Sequence, residues 1–162
     1  MRSFDESARV LTRAVERFRD LGDRYRSAGA SITLGSTLRK MGRFDEAIDV
    51  LAQAADRFRE LQDPHSRAMA LNNLGGALLE ARRFDKAADA LTRAADHFGE
   101  VQDHHREAKA LTNLGSALHE LRQFDGAFEA HSRAAIRFRE LGDHHGMAMV
   151  LQALEVLRRN GL

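Results

Sequence analysis

A chain of 162 residues, 43% hydrophobic and 30% charged, holds enough apolar material for one domain with a core of its own. One proline, one tyrosine and no tryptophan leave little material for a β-sandwich, and the lack of cysteine removes disulfides, thiolate metal sites and a cysteine nucleophile. A net charge of +1, with Arg and Glu interleaved, lacks the concentrated positive field that phosphate backbones demand, so nucleic acid is not an expected partner.

The opening MRSFDESARV has acids where a signal peptide needs an apolar stretch. No later run is long enough to span a bilayer, so a cytoplasmic location away from membranes is expected. Residues 3–21 carry Phe4, Ala8, Leu11, Val15 and Phe18 on one helical face. Phe4 is in register with Phe44, Phe84 and Phe124, and Phe18 with Phe58, Phe98 and Phe138, each series spaced by 40 residues. Aligning 64–103 with 104–143 gives 21 identities in 40, so one supersecondary unit has been copied.

The unit reads as two helices. Its first half places Ala68, Leu71, Leu74, Gly75 and Leu78 on one face, and its second half does so with Phe84, Ala87, Leu91, Ala94 and Phe98. Asp63, Asp103 and Asp143 stand where they would N-cap the next helix, and Pro64 fits the first helical position. The expected frame is an unpaired second helix at 3–21, helix pairs at 24–61, 64–101 and 104–141, and a final first helix at 144–160. The chain reads as all-α, a solenoid of about eight antiparallel helices in one domain.

Glycine inside a helix costs about 1 kcal/mol relative to alanine, yet Gly35, Gly75 and Gly115 recur at one interior place. The expected reason is close approach of the partner helix through Ala47, Ala87 and Ala127. In the last helix the glycine becomes Glu155 and the repeated leucine becomes Arg158, which predicts a solvating C-terminal cap closed by Asn160-Gly161.

The Leu-Gly pair, the later aromatic and the two alanines of the second helix resemble the tetratricopeptide repeat family over nearly the whole chain. The unit is longer than the usual 34 or so residues, so the match is to a 40-residue form. The resemblance implies a right-handed superhelix with the first helices lining a concave groove. It implies a protein or peptide partner, and a setting like the sensor ends of bacterial signal-transduction and regulatory proteins. The groove stripe then comprises Met69, Asn72, Asn73, Gly76 and Leu79 in the second pair and Lys109, Thr112, Asn113, Ser116 and His119 in the third. Ile32, Ser36 and Arg39 fill it in the first pair, and Met149, Gln152, Val156 and Arg159 in the last helix. Asparagine offers donor and acceptor together, which suits a peptide backbone; Asn73 and Asn113 resemble main-chain-holding asparagines of related arrays. The carboxylate clamp that other members use on chaperone tails is matched at Asn73 and Lys109 but not at Ile32, Ser36 and Asn113, so chaperone tails are not the expected ligand.

His65, His104, His105, His144 and His145 follow the capping aspartates. They belong to different turns about one helix diameter, ~10 Å, apart, whereas zinc ligands lie roughly 2 Å from one ion; no metal or other cofactor is expected. The chain has no phosphate loop, nucleophile elbow, HExxH or separated acid pair, so no enzyme is expected. Two functions follow. One is a protein-interaction module that holds an extended or helical peptide; the alternative is a structural or oligomerising array within a larger regulator, or one with no ligand of its own. The apolar face of residues 3–21, with Phe4, Ala8, Leu11 and Val15, predicts a two-fold homodimer.

Overall fold

The computed structural model describes residues 2–159, so the Asn160-Gly161 stop lies outside the described residues. Among these residues there are eight α-helices and no strand. They are α1 (Arg2–Asp20), α2 (Arg24–Lys40), α3 (Phe44–Glu60), α4 (Pro64–Glu80), α5 (Phe84–Glu100), α6 (His104–Glu120), α7 (Phe124–Glu140) and α8 (His144–Arg159). None is long and apolar enough to cross a membrane.

Local chemistry sets both ends of each helix. The carboxylates of Asp23, Asp63, Asp103 and Asp143 accept the backbone N–H of Arg26, Ser66, Arg106 and Gly146 at 2.9–3.1 Å, capping the even-numbered helices. Helices α3, α5 and α7 have no side-chain cap but carry Asp45, Asp85 and Asp125 in the first turn, where negative charge complements the helix dipole. Every turn between helices contains one left-handed residue: Gly22, Gly42 and Gly142, but also Gln62, Arg82, Gln102 and Arg122 at φ of 55–59°. Closing bonds run from Asp63 N–H to Phe58 O at 3.0 Å and from Asp103 N–H to Phe98 O at 2.9 Å, so one aspartate ends one helix and starts the next.

Consecutive helices pack against each other, and α4 also touches α2 and α6, which puts the even-numbered helices on the inner face. Phe58, Phe98, Leu51, Leu91 and Leu111 are fully buried at the centre. Phe138 is buried with them, but Phe18, expected at an equivalent place, is only half-buried. Each buried phenylalanine meets the edge of a ring from 33 residues earlier, Tyr25, His65 or His105, at centroid distances of 5.6, 6.0 and 6.5 Å. Phe18 has no such ring above it.

The glycine expectation needs correcting in its partner. A Cβ on Gly35 would lie 2.4 Å from Leu51 Cγ, on Gly75 2.4 Å from Leu91 Cγ, and on Gly115 2.6 Å from the His131 ring. The glycine thus receives a large side chain one turn beyond the alanine, while Ala47, Ala87 and Ala127 lie buried beside it. At the C-terminal end Glu155 and Arg158 are exposed, with Glu155 paired to Arg159, yet Leu151 is exposed too, where Leu71 and Leu111 are buried. At the other end α1 packs on α2, burying Ala8 and Val15 and half-covering Leu11. Phe4 and Val10 are left at the surface.

Candidate functional site

The repeats are tied by a ladder of polar contacts that the sequence left unassigned. Tyr25 Oη donates to Asp63 Oδ2 at 3.1 Å, His65 Nε2 lies 3.0 Å from Asp103 Oδ2, and His105 Nδ1 lies 4.0 Å from Asp143 Oδ2. His65 and His105 therefore link one repeat to the cap of the next, and no group of three or more His, Asp or Glu able to hold a metal occurs among the described residues. Partial burial pushes the Asp103 carboxyl up, but hydrogen bonds from the Arg106 and His65 side chains and the Arg106 backbone outweigh it and bring its pKa to about 2. A second unforeseen contact is Glu107, which is buried and takes Arg137 Nε at 2.9 Å and His104 Nδ1 at 3.1 Å. Gly99 borders it, where the other repeats have Arg19, Arg59 and Arg139; a Cβ there would rest in ordinary contact with the carboxylate, at 3.6 Å.

On the inner face the two halves of the array differ. In the N-terminal half most of the expected groove residues are used internally. Ile32 is buried in the core and Met69 packs against it. Gly76 is buried and offers no room to a ligand, because the Arg39 guanidinium lies over it: a Cβ there would sit 2.7 Å from Arg39 Nη1. Arg39 also reaches Glu80 at 3.2 Å, so it straps α2 to α4 instead of facing a groove. Asn73 donates from Nδ2 to the Met69 carbonyl of its own helix at 3.0 Å.

The seam between α6 and α8 is open. One cleft of about 280 Å³ gathers Asn72, Lys109, Thr112, Asn113 and Met149, with Phe138 at its side. A larger cleft of about 730 Å³ gathers Ser116, His119, Gln152, Leu79 and Val156. Both touch Met149, so they lie side by side along the seam. Asn72 Oδ1 is buried with no hydrogen-bond partner. Lys109 is exposed, with no carboxylate within 4.0 Å among the described residues. Thr112 and Ser116 donate their hydroxyls to Ala108 O at 2.8 Å and Thr112 O at 3.2 Å, which leaves their oxygens free to accept. The groove offers an uncommitted cation, amides and hydroxyls at one end and an apolar wall at the other. Its chemistry is recognition by hydrogen bonding and burial.

Residues 26–100 match the model of the tetratricopeptide repeat, and the internal repeat carries the same unit to α8. The fold is that of a tetratricopeptide repeat array. No match was found among curated protein sequences. Among solved structures, this repeat protein is similar to BtubC (BKLC) from P. vanneervenii, with 19% identity and a TM-score of 0.74 over 99% of the chain and 76% of BtubC. The apo form of RapI aligns at 16% identity and a TM-score of 0.85 over 98% of the chain but 44% of RapI. A Rap protein complexed with Competence and Sporulation Factor aligns at 15% identity and a TM-score of 0.71, over 98% of the chain and 59% of its own length. At such identities the likeness is one of fold. The repeat array spans about half the length of the Rap proteins.

Sequence reasoning missed His131, although a signal was there: the series Leu11, Leu51, Leu91 breaks at that position. His131 is 3% exposed and its Nδ1 has no partner.

Proposed function

We propose that this repeat array is a protein-interaction module that holds an extended segment of a partner along the α6–α8 seam. The observation that carries the reading is the cleft where Asn72 from α4 meets Lys109, Thr112 and Asn113 from α6 and Met149 from α8. Amide, hydroxyl and ammonium groups on α4 and α6, with Met149 of α8 beside them, converge on space they do not fill themselves, and they match the alternating donors and acceptors of a peptide main chain. Tetratricopeptide repeats mediate protein–protein contacts, and the fold serves typically as a non-catalytic scaffold. The Rap neighbour solved with Competence and Sporulation Factor supports a binding role for arrays of this shape. The module acts by binding and has no catalytic role.

The test is a displayed library of peptides selected against the wild-type protein and measured again on an Asn72→Ala, Asn113→Ala double variant. Two hydrogen bonds of about 0.5–1.5 kcal/mol each should weaken the selected peptides roughly five- to a hundredfold. Asn73→Ala serves as the control and should leave affinity nearly unchanged, because that side chain bonds its own helix. Selected peptides that bind the double variant as tightly as the wild type refute the assignment.

A further inference from the structure

The second helix of each repeat carries Leu11, Leu51 and Leu91 at one position, and His131 at the fourth. His131 occupies the leucine slot: its ring lies so close to Gly115 that a Cβ there would be 2.6 Å from Cε1 and Nε2. The imidazole is buried, its Nδ1 has no hydrogen-bond partner, and the same is true of Nε2 on His119 across the α6–α7 contact. Burial, and with it the nearby His119, lowers the tendency of His131 to take up a proton. At neutral pH the ring is uncharged and forms part of an apolar wall.

The two rings border the larger cleft, whose other walls include Leu79, Phe84, Met149, Val156 and Leu157. The charged groups around it come from α4, from the α4–α5 turn and from α6. Glu80 is engaged by Arg39, Arg82 lies 5.4 Å over the Phe84 ring, and Glu120 stands exposed at the margin beside His119. From α8 come Met149, Gln152, Ala153, Val156 and Leu157, none of them titratable. No carboxylate lies within 4.0 Å of either imidazole among the described residues. A proton on His131 would therefore place an uncompensated charge in the core between α6, α7 and α8.

We propose that this cleft takes one uncharged apolar side chain of the peptide partner, aromatic or branched aliphatic, and that protonation of His131 releases it. The occupant follows from the lining: Glu80 and Arg82 are engaged within the chain, Glu120 stands at the margin, Ser116 and Gln152 are the neutral polar groups, and the rest of the wall is carbon and neutral imidazole. The release follows from packing. A charged His131 needs water or a counter-charge, and it obtains either one only when α7 and α8 move apart, which separates Leu157 and Val156 from the rest of the wall. The inference rests on the groove reading above and adds to it which side chain is held and what lets it go. Leucine at the other three positions confines the pH response to the C-terminal third.

The experiment uses capped pentapeptides, Gly-Gly-X-Gly-Gly with X as Leu, Phe, Asp or Lys, titrated by NMR into the isotope-labelled full chain at about pH 7.5 and about pH 5, on either side of the ordinary histidine pKa. The Leu and Phe probes should shift the amides of Ser116, His119 and Ala153 at the higher pH, with the Asp and Lys probes at least fivefold weaker. At the lower pH the Leu and Phe probes should lose affinity by up to about thirtyfold, the limit over that range for one proton at the ordinary histidine pKa, and by less as burial lowers it. His131→Leu, which installs the residue the other repeats use, and His131→Gln, which keeps polarity but takes no proton, should each hold the affinity within twofold across the two pH values. Equal binding of the Asp or Lys probe overturns the inference, as does a pH response that is absent in the wild type or persists in both variants. Shifts confined to Asn72, Lys109 and Asn113 overturn it while leaving the groove reading intact. No shift on the inner face with any probe at either pH overturns both.

Discussion

The glycine–leucine interlock makes a prediction whose sign depends on the background. Replacing Gly75 by alanine removes an interior glycine and on helix propensity alone should stabilise by about 1 kcal/mol. The added Cβ, however, would stand 2.4 Å from Leu91 Cγ and 2.6 Å from its Cδ2, against the roughly 3.5–4.0 Å at which carbons rest in contact. Leu91 is fully buried and has no free space to retreat into, so α4 and α5 must separate. Overpacking of this kind costs about 1–3 kcal/mol, occasionally more, and should offset or outweigh the propensity gain, leaving Gly75→Ala destabilised by up to about 2 kcal/mol. Leu91→Ala alone should cost about 2–5 kcal/mol. In that background the overlap is gone and the new methyl partly fills the hole, so Gly75→Ala should now stabilise by about 1 kcal/mol. Urea unfolding followed by far-UV circular dichroism on the four proteins measures the reversal; the chain has no tryptophan to serve as a probe. If Gly75→Ala stabilises the wild type by the full propensity gain, Leu91 is not wedged against the glycine and the account of the repeat core is wrong.

Two further perturbations test the contacts between repeats. Glu107→Gln removes the buried charge that holds Arg137, and because Arg137 is a third exposed and keeps Glu140 at 3.1 Å, the loss should be about 2 kcal/mol, below the 3–5 kcal/mol typical when one member of a buried pair is removed. A double-mutant cycle with Arg137→Met should recover most of that as coupling, and independent effects would refute the pair. Asp103 has a folded-state pKa depressed from 3.8 to about 2, so its stabilisation is complete above the unfolded value and fades as pH falls from about 4 toward 2. Asp103→Asn keeps an N-cap and should be less stable than the wild type by about 1 kcal/mol at neutral pH after solvent screening. That gap should close in acid. An undiminished gap at about pH 2 would mean the carboxylate charge is not what the turn uses.

The helices were legible in the sequence because what makes them is local. A cap joins residues three apart, as in Asp63 with Ser66, and an amphipathic face repeats within a turn or two, so period, helix starts and family follow from neighbouring letters. The candidate groove was legible only in part. Asn72, Lys109, Thr112, Asn113, Ser116, His119, Gln152 and Met149 do border the α6–α8 seam, since helix face alone decides that. Arg39, Gly76, Ile32, Asn73 and Met69 lie on the same stripe by spacing and yet serve the protein itself.

What separates the two groups is reach across the chain. Arg39 finds Glu80 at 41 residues' distance, His65 finds Asp103 at 38, and Glu107 finds Arg137 at 30. A long side chain has several partners within the sweep of its rotamers, and which one it takes depends on how neighbouring repeats are offset, a quantity no local pattern encodes. The same holds for His131. By letters it is a substitution in a leucine series; only the packing of α6, α7 and α8 around it makes it a buried imidazole with nothing to bond.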